Sequence, residues 1–234
     1  MKYLVSSWAV IGLLALASAF ASEIPPQAHQ HLPTLNAQIA ELMPPFRPRA
    51  YFGALIEQES CISLTHSKCW NPGSRLKTKR EEGAGLGQIT RAYRADGSVR
   101  FDALAEARAL DPKGLNDLRW DTVYQRPDLQ MRVIVLMTRQ NDNRLLILIG
   151  DAAKRLPFTD AAYNGGVGGV MNERRACAMK RGCDPDTWFG HVEKTCLKST
   201  KPLYGTRSAC DINREHVTKV ILERMPKYKE VLHD

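Results

Sequence analysis

The chain has 234 residues, 44% of them hydrophobic, with 33 Lys and Arg against 25 Asp and Glu. Charges this few and this well mixed exclude a disordered polyelectrolyte, and the length suits one generous domain with a core of its own. The formal charge of +8 favours anionic partners without choosing among nucleic acid, anionic lipid and cell wall.

Met1 and Lys2 precede an apolar run from Leu4 to Ala17 and the small-x-small triplet Ala19-Phe20-Ala21. That order predicts a secretory signal peptide over residues 1–21, cleaved after Ala21. The alternative, an uncleaved anchor, is disfavoured because the run is short for a spanning helix and polar Ser22-Glu23 follows. Cleavage leaves an exported chain of charge about +7 with no stable membrane anchor. The later runs Val133–Met137 and Leu145–Ile149 are each too short to span, and residues 139–144 between them are polar. Export, and the lack of any recognised nucleic-acid module, argue against a nucleic-acid partner.

In an oxidising compartment an even number of cysteines reads as a disulfide framework. The favoured pairing is local, Cys61–Cys69, Cys177–Cys183 and Cys196–Cys210, closing three short loops. Zinc is the competing use, but no C-x₂-C occurs and the histidines lack paired ligand spacing, so neither a metal nor another cofactor is expected. His29, His31, His66, His191, His216 and His233 are read as surface or packing residues. Trp70, Trp120 and Trp188 fit a core as well as a sugar-stacking role and are left unassigned.

Residues 22–44 form a polar, Pro-containing lead-in with a helix-like stretch from Leu35 to Leu42. Phe52, Leu55, Ile56 and Glu59 then recur at i, i+3, i+4 and i+7, one face of a helix. Residues 65–85 read as a loop with a basic cluster, Arg75, Lys77, Lys79 and Arg80, joined further on by Arg91, Arg94 and Arg100. The plain reading of that cluster is a solvated surface. The sharper one is a cationic rim for anionic wall polymers or the carboxylates of peptide stems. Helices are expected over Leu104–Leu110, Leu129–Met137, Leu145–Leu156 and Val217–Leu232, with glycines at 165–169 interrupting the pattern. Alternating strand patterns are nearly absent, so the fold class is mainly α.

Glu57 and Glu59 are separated by about 200° on a helix, which rules out a paired carboxylate. Glu59 shares the face of Phe52, Leu55 and Ile56, and Glu57 lies on the other side. A carboxyl on an apolar face is partly desolvated, and desolvation favours the neutral acid that can protonate a leaving oxygen. A helix-end Glu paired with a nearby cation is the bland alternative. Two further motifs carry chemistry-bearing residues. Gly83-Ala84-Gly85-Leu86-Gly87-Gln88-Ile89 sets an amide among glycines that let backbone approach a ligand. Ala161-Ala162-Tyr163-Asn164-Gly165-Gly166 sets a phenol and an amide at a helix end.

Glu59-Ser60, Gly85-Leu86-Gly87-Gln88-Ile89 and Ala162-Tyr163-Asn164-x-Gly166 together resemble the ordered signature of the soluble lytic transglycosylase (SLT) family. The resemblance covers roughly residues 45–170 and resumes at Asp211–Leu232, where Asn213-Arg214-x-x-Val217-x-x-Val220 is similar to the family's closing helix. It implies a lysozyme-like domain over 45–234 with disulfide-stapled loop insertions, the largest around 167–210. It also implies residence in a bacterial periplasm or secretion from the cell. Glu59 matches the family's single acid/base, and Gln88, Tyr163 and Asn164 match residues lining the sugar groove. Ser60 and Ile89 are carried over as substrate-binding neighbours. Gly87 stands where the family usually has Met, which predicts a more open groove wall, and Ala84 replaces a small polar residue.

The implied partner is the peptidoglycan glycan strand, and the implied reaction cleaves between N-acetylmuramic acid and N-acetylglucosamine with formation of a 1,6-anhydro ring. Wall turnover, a phage, and a cell-envelope machine such as a pilus, secretion or conjugation apparatus are all open as its setting. Two rivals stand beside this reading. One is a hydrolytic muramidase with a second carboxylate among Glu81, Glu82, Asp96 and Asp102. The other is a non-catalytic peptidoglycan-binding protein of the same fold.

Overall fold

The computed structural model describes residues 23–61 and 69–234. The expected signal peptide and His66 lie outside the described residues. The chain is mainly helical with a small sheet and three disulfides. The disulfides are Cys61–Cys69, Cys177–Cys183 and Cys196–Cys210, the local pairing expected from the sequence. They fit an oxidising compartment. Among the described residues, no helix is long and apolar enough to cross a membrane.

Helix α1 (Ala28–Leu42) buries Leu32, Leu35 and Ile39 in the same core as the central helix α2 (Ala50–Ser60). Helix α1 lies within the stretch read as a lead-in, and its apolar stripe recurs with helical period and packs on α4 (Pro127–Leu146). Every residue of α2 from Ala50 to Glu57 is buried. Up to Glu57 this helix has no outer face, so its burial extends beyond the one face that the spacing marks.

Between α2 and α4 the chain forms a four-stranded antiparallel meander, in order β1 (Arg75–Lys77), β2 (Glu81–Ala84), β3 (Ile89–Tyr93) and β4 (Val99–Asp102). Sequence periodicity missed it because the strands are short and carry charge where alternation would place apolar residues. Glu82 supplies the reason those charges are tolerated. It is buried on β2, where it accepts from Arg75 of β1 at 3.3 Å, Arg91 of β3 at 3.1 Å and the Tyr93 hydroxyl at 3.2 Å. Burial opposes its charge, but the Arg91 and Tyr93 hydrogen bonds outweigh that and hold the carboxyl below its ordinary range. Part of the basic cluster is therefore neutralised within the sheet.

Asp102 ends β4 and caps α3 (Ala103–Leu110) by accepting from the Ala105 backbone N–H. The sheet, α3 and α4 enclose a second apolar cluster that includes Ile89, Leu104, Val133 and Leu136. Pro127 opens α4 at its first turn, where a missing N–H costs nothing. The expected helix 145–156 is instead a break. Helix α4 ends at Leu146, and Asp151 caps α5 (Ala152–Gly165) through the N–H groups of Ala153 and Lys154. Gly150-Asp151 interrupts the apolar run Leu145–Ile149 before Ala152, so the two helices it separates read as one only when that stop is overlooked.

The region 167–210 holds α6 (Val167–Ala178) and a hairpin of β5 (Pro202–Tyr204) and β6 (Arg207–Ser208). A capping box of Ser208 and Asp211 starts α7 (Ala209–Thr218), which passes through a π-helical stretch, Lys219–Arg224, into α8 (Met225–Tyr228).

Candidate functional site

Helix α2 delivers Glu57 and Glu59 in opposite directions, as the 200° rotation requires. Glu57 is fully buried. It accepts from the Tyr228 hydroxyl at 2.5 Å, from Lys227 Nζ at 2.6 Å and from Arg224 Nη1, all on the C-terminal segment. Tyr228 in turn accepts from Trp70 Nε1 at 2.8 Å. Glu57 thus clamps the end of the chain onto the back of α2. The Glu59 side chain, 14% exposed, faces a groove.

Two hollows of about 470 and 490 Å³ share Gln88, Tyr163 and Asn164 as lining, and so form one groove. Glu59 stands in one of them. The other extends between the sheet and α4, past Ile89, Phe101 and Arg144. The three separated sequence motifs therefore meet along one surface. Gln88, held in the left-handed region at φ 43°, donates from its amide to Gly85 O at 3.2 Å. Its amide oxygen lies where a side chain on Gly83 would begin, 2.6 Å from that Cβ position, so this conformation requires glycine at 83. Asn164 accepts from Asn213 Nδ2 at 3.0 Å, which ties the helix end of α5 to α7.

Tyr163 donates its hydroxyl to Gly87 O at 2.9 Å. Burial first, then the negative charges of Glu59 and Asp160, hold its phenol well above the ordinary range, so it remains a donor. Gly87 does not open the wall, contrary to the sequence expectation. A Cβ there would lie 2.4 Å from Ile134 Cγ1 and 2.7 Å from Tyr163 Oη, so the space is already filled. Gly87→Met is expected to lower stability by about 1–3 kcal/mol through overpacking. Thermal denaturation checks this; an unchanged melting temperature would show that the wall yields freely.

Ser60 is a correction of a different kind. It is fully buried, donates to Ile56 O at 2.6 Å and accepts from the Trp70 N–H at 3.0 Å. It fixes the chain after α2 and does not line the groove. Ile89 is 3% exposed and forms an apolar wall from within the second cluster. Trp70 and Trp188 are buried in the core, so neither offers a face for stacking on sugar.

Sequence reasoning missed two residues. His216, on α7, is buried and lies between two carboxylates. Its Nε2 is 2.8 Å from Glu59 Oε1 and its Nδ1 is 2.9 Å from Asp160 Oδ2. Burial works against the imidazolium. The charge and hydrogen bond of Asp160, followed by those of Glu59, outweigh it and push the His216 pKa up to about 10. Both ring nitrogens then donate. The available signal was spacing. His216 stands four residues after Ile212 on α7 and four before Val220 in the π-helical stretch, and Asp160 precedes Tyr163 by one helical turn. The two carboxylates sit on opposite sides of one ring and do not converge. Among the described residues, no group of His, Cys, Asp and Glu is placed to hold a metal.

A His whose folded pKa is raised adds stability that is complete below its unfolded value, near 6.5, and is lost as pH rises through the folded value. The stability advantage of the wild type over His216→Gln should therefore be greatest below about pH 6.5 and shrink toward about pH 10. Denaturant melts across that range would read it. A constant difference would contradict a charged His216.

The insertion supplies the remaining wall. Lys198, Leu203 and Tyr204 line the hollow that holds Glu59, and the Tyr204 hydroxyl donates to Glu81. Glu81 is the one member of the four suspected second carboxylates that lines the groove. Glu82 is taken up by the sheet, Asp96 accepts from Ser98 in a turn, and Asp102 caps α3 and accepts from Trp120 Nε1 at 3.0 Å.

Comparison with known proteins found no matching family model, no matching curated sequence and no matching solved structure.

Proposed function

We propose that the protein is an exported lytic transglycosylase of lysozyme-like fold, acting on peptidoglycan glycan strands in the bacterial periplasm or outside the cell. The observation that carries this reading is one carboxylate, Glu59, partly exposed in a groove that also presents Gln88, Tyr163 and Asn164. These are the residues that the motif resemblance selects, and they come from three separate parts of the chain.

Glu59, as acid, protonates the glycosidic oxygen, and the bond from that oxygen to the anomeric carbon breaks. The substrate's own N-acetyl group stabilises the positive anomeric centre, so no protein nucleophile is needed. The Glu59 carboxylate then takes the proton of the muramic 6-hydroxyl as O6 closes on the anomeric carbon. The same side chain serves as acid and then as base, and no water is consumed.

Hydrolysis is the second reading, and one observation favours it: Glu81 lines the same groove as Glu59 and is available to activate water. Mass analysis of digested sacculi separates the two, because an anhydro product is lighter by one water than its reducing-end counterpart. Anhydro-muropeptides are the expected product. Reducing-end products alone would replace transglycosylation with hydrolysis through Glu81.

A further inference from the structure

Oε1 of Glu59 is engaged by His216 Nε2, whereas Oε2 has no hydrogen-bonding partner among the described residues. His216 is held on its other side by Asp160, a fully buried carboxylate from α5. A His between two carboxylates has a fixed ring orientation, since each nitrogen is assigned to one acceptor. We propose that Asp160 and His216 form a buried positioning pair, which keeps Glu59 Oε1 as a hydrogen-bond acceptor and reserves Oε2 for proton exchange with substrate. The proposal rests on the reading of Glu59 as acid and base.

Geometry gives the pair its function. A neutral His216 with its proton on Nδ1 would present a lone pair to Oε1 and attract the acidic proton away from the groove. A doubly protonated His216 donates to Oε1 instead, so the exchangeable proton of Glu59 must sit on Oε2. The high basicity of His216 agrees with the second arrangement. The titratable groups facing the cluster are Tyr51 and Glu59 from α2 and Asp160 and Tyr163 from α5, with Lys198 lining the same end of the groove. Both tyrosines are held above their ordinary range, chiefly by burial, and remain neutral hydroxyls.

The test compares wild type with His216→Phe, His216→Gln, Asp160→Asn and Glu59→Gln in the full chain, following anhydro-muropeptide release from isolated sacculi between about pH 4 and pH 9. His216→Phe is expected to lose up to roughly 100-fold in kcat with KM little changed, the scale of a misplaced reacting group. His216→Gln, which can still donate to Oε1, should recover part of that rate. Without the adjacent cation, the pH at which its activity falls on the alkaline side should move upward. Asp160→Asn should resemble His216→Gln in rate. If His216→Phe fails to fold, His216→Gln and Asp160→Asn decide the matter. An alkaline limb unmoved in His216→Gln, with Asp160→Asn as fast as wild type, would overturn the pair and leave Glu59 untouched. Full activity in Glu59→Gln would overturn the reading beneath it.

Discussion

Glu59→Gln is expected to reduce anhydro-muropeptide release by roughly 100- to 10,000-fold, the range over which a positioned acid/base acts. The amide cannot carry the proton on Oε2, yet its oxygen can still accept from His216 Nε2, which is 2.8 Å from Oε1 in the wild type. The fold should therefore survive, with a melting temperature within about 3 °C of wild type. Sedimentation with sacculi should also persist, since Gln88, Tyr163 and Asn164 still line the groove. Loss of chemistry with retained binding distinguishes an enzyme from a wall-binding protein. A binding protein would show no release from wild type and no difference in the variant.

Two residues earlier on the same helix, Glu57→Ala should do the reverse. Its carboxylate is fully buried and is the shared acceptor of Arg224, Lys227 and Tyr228. Removing one partner from a buried ionic cluster costs about 3–5 kcal/mol, because the remaining charges were desolvated for that partner. For a chain of this size the melting temperature should fall by on the order of 10 °C. Material that stays folded at low temperature should retain its pH profile, since Glu57 points away from the groove. Calorimetry beside the release assay checks both parts, and a large rate loss without destabilisation would move Glu57 into the chemistry.

The contrast between these glutamates shows what the sequence could and could not reveal. Helical rotation separates Glu57 from Glu59 correctly, and apolar spacing identifies α2, α3 and part of α4, whereas the helix expected from Val217 falls mainly on the π-helical stretch and α8 and misses the start of α7 at Ala209. It cannot reveal that α2 is buried all round from Ala50 to Glu57, because burial of a second face depends on α8, which arrives more than 160 residues later. The charged meander has a similar origin. Arg75, Glu82 and Arg91 look like solvated charges until the register places them across adjacent strands. The disulfides were legible because short loops close at little entropic cost. His216 and Asp160 were not, since a lone His on an apolar helix face has no local partner, and its two acceptors come from α2 and α5. Ser60 was misassigned because adjacency to Glu59 in sequence places it toward the core on a helix.

The role of Glu59 is decided by the mass spectrum of sacculi digested in parallel by wild type and Glu59→Gln. 1,6-Anhydro-muropeptides are expected from the wild type and almost none from the variant. Equal yields of the same fragments from both would contradict that role.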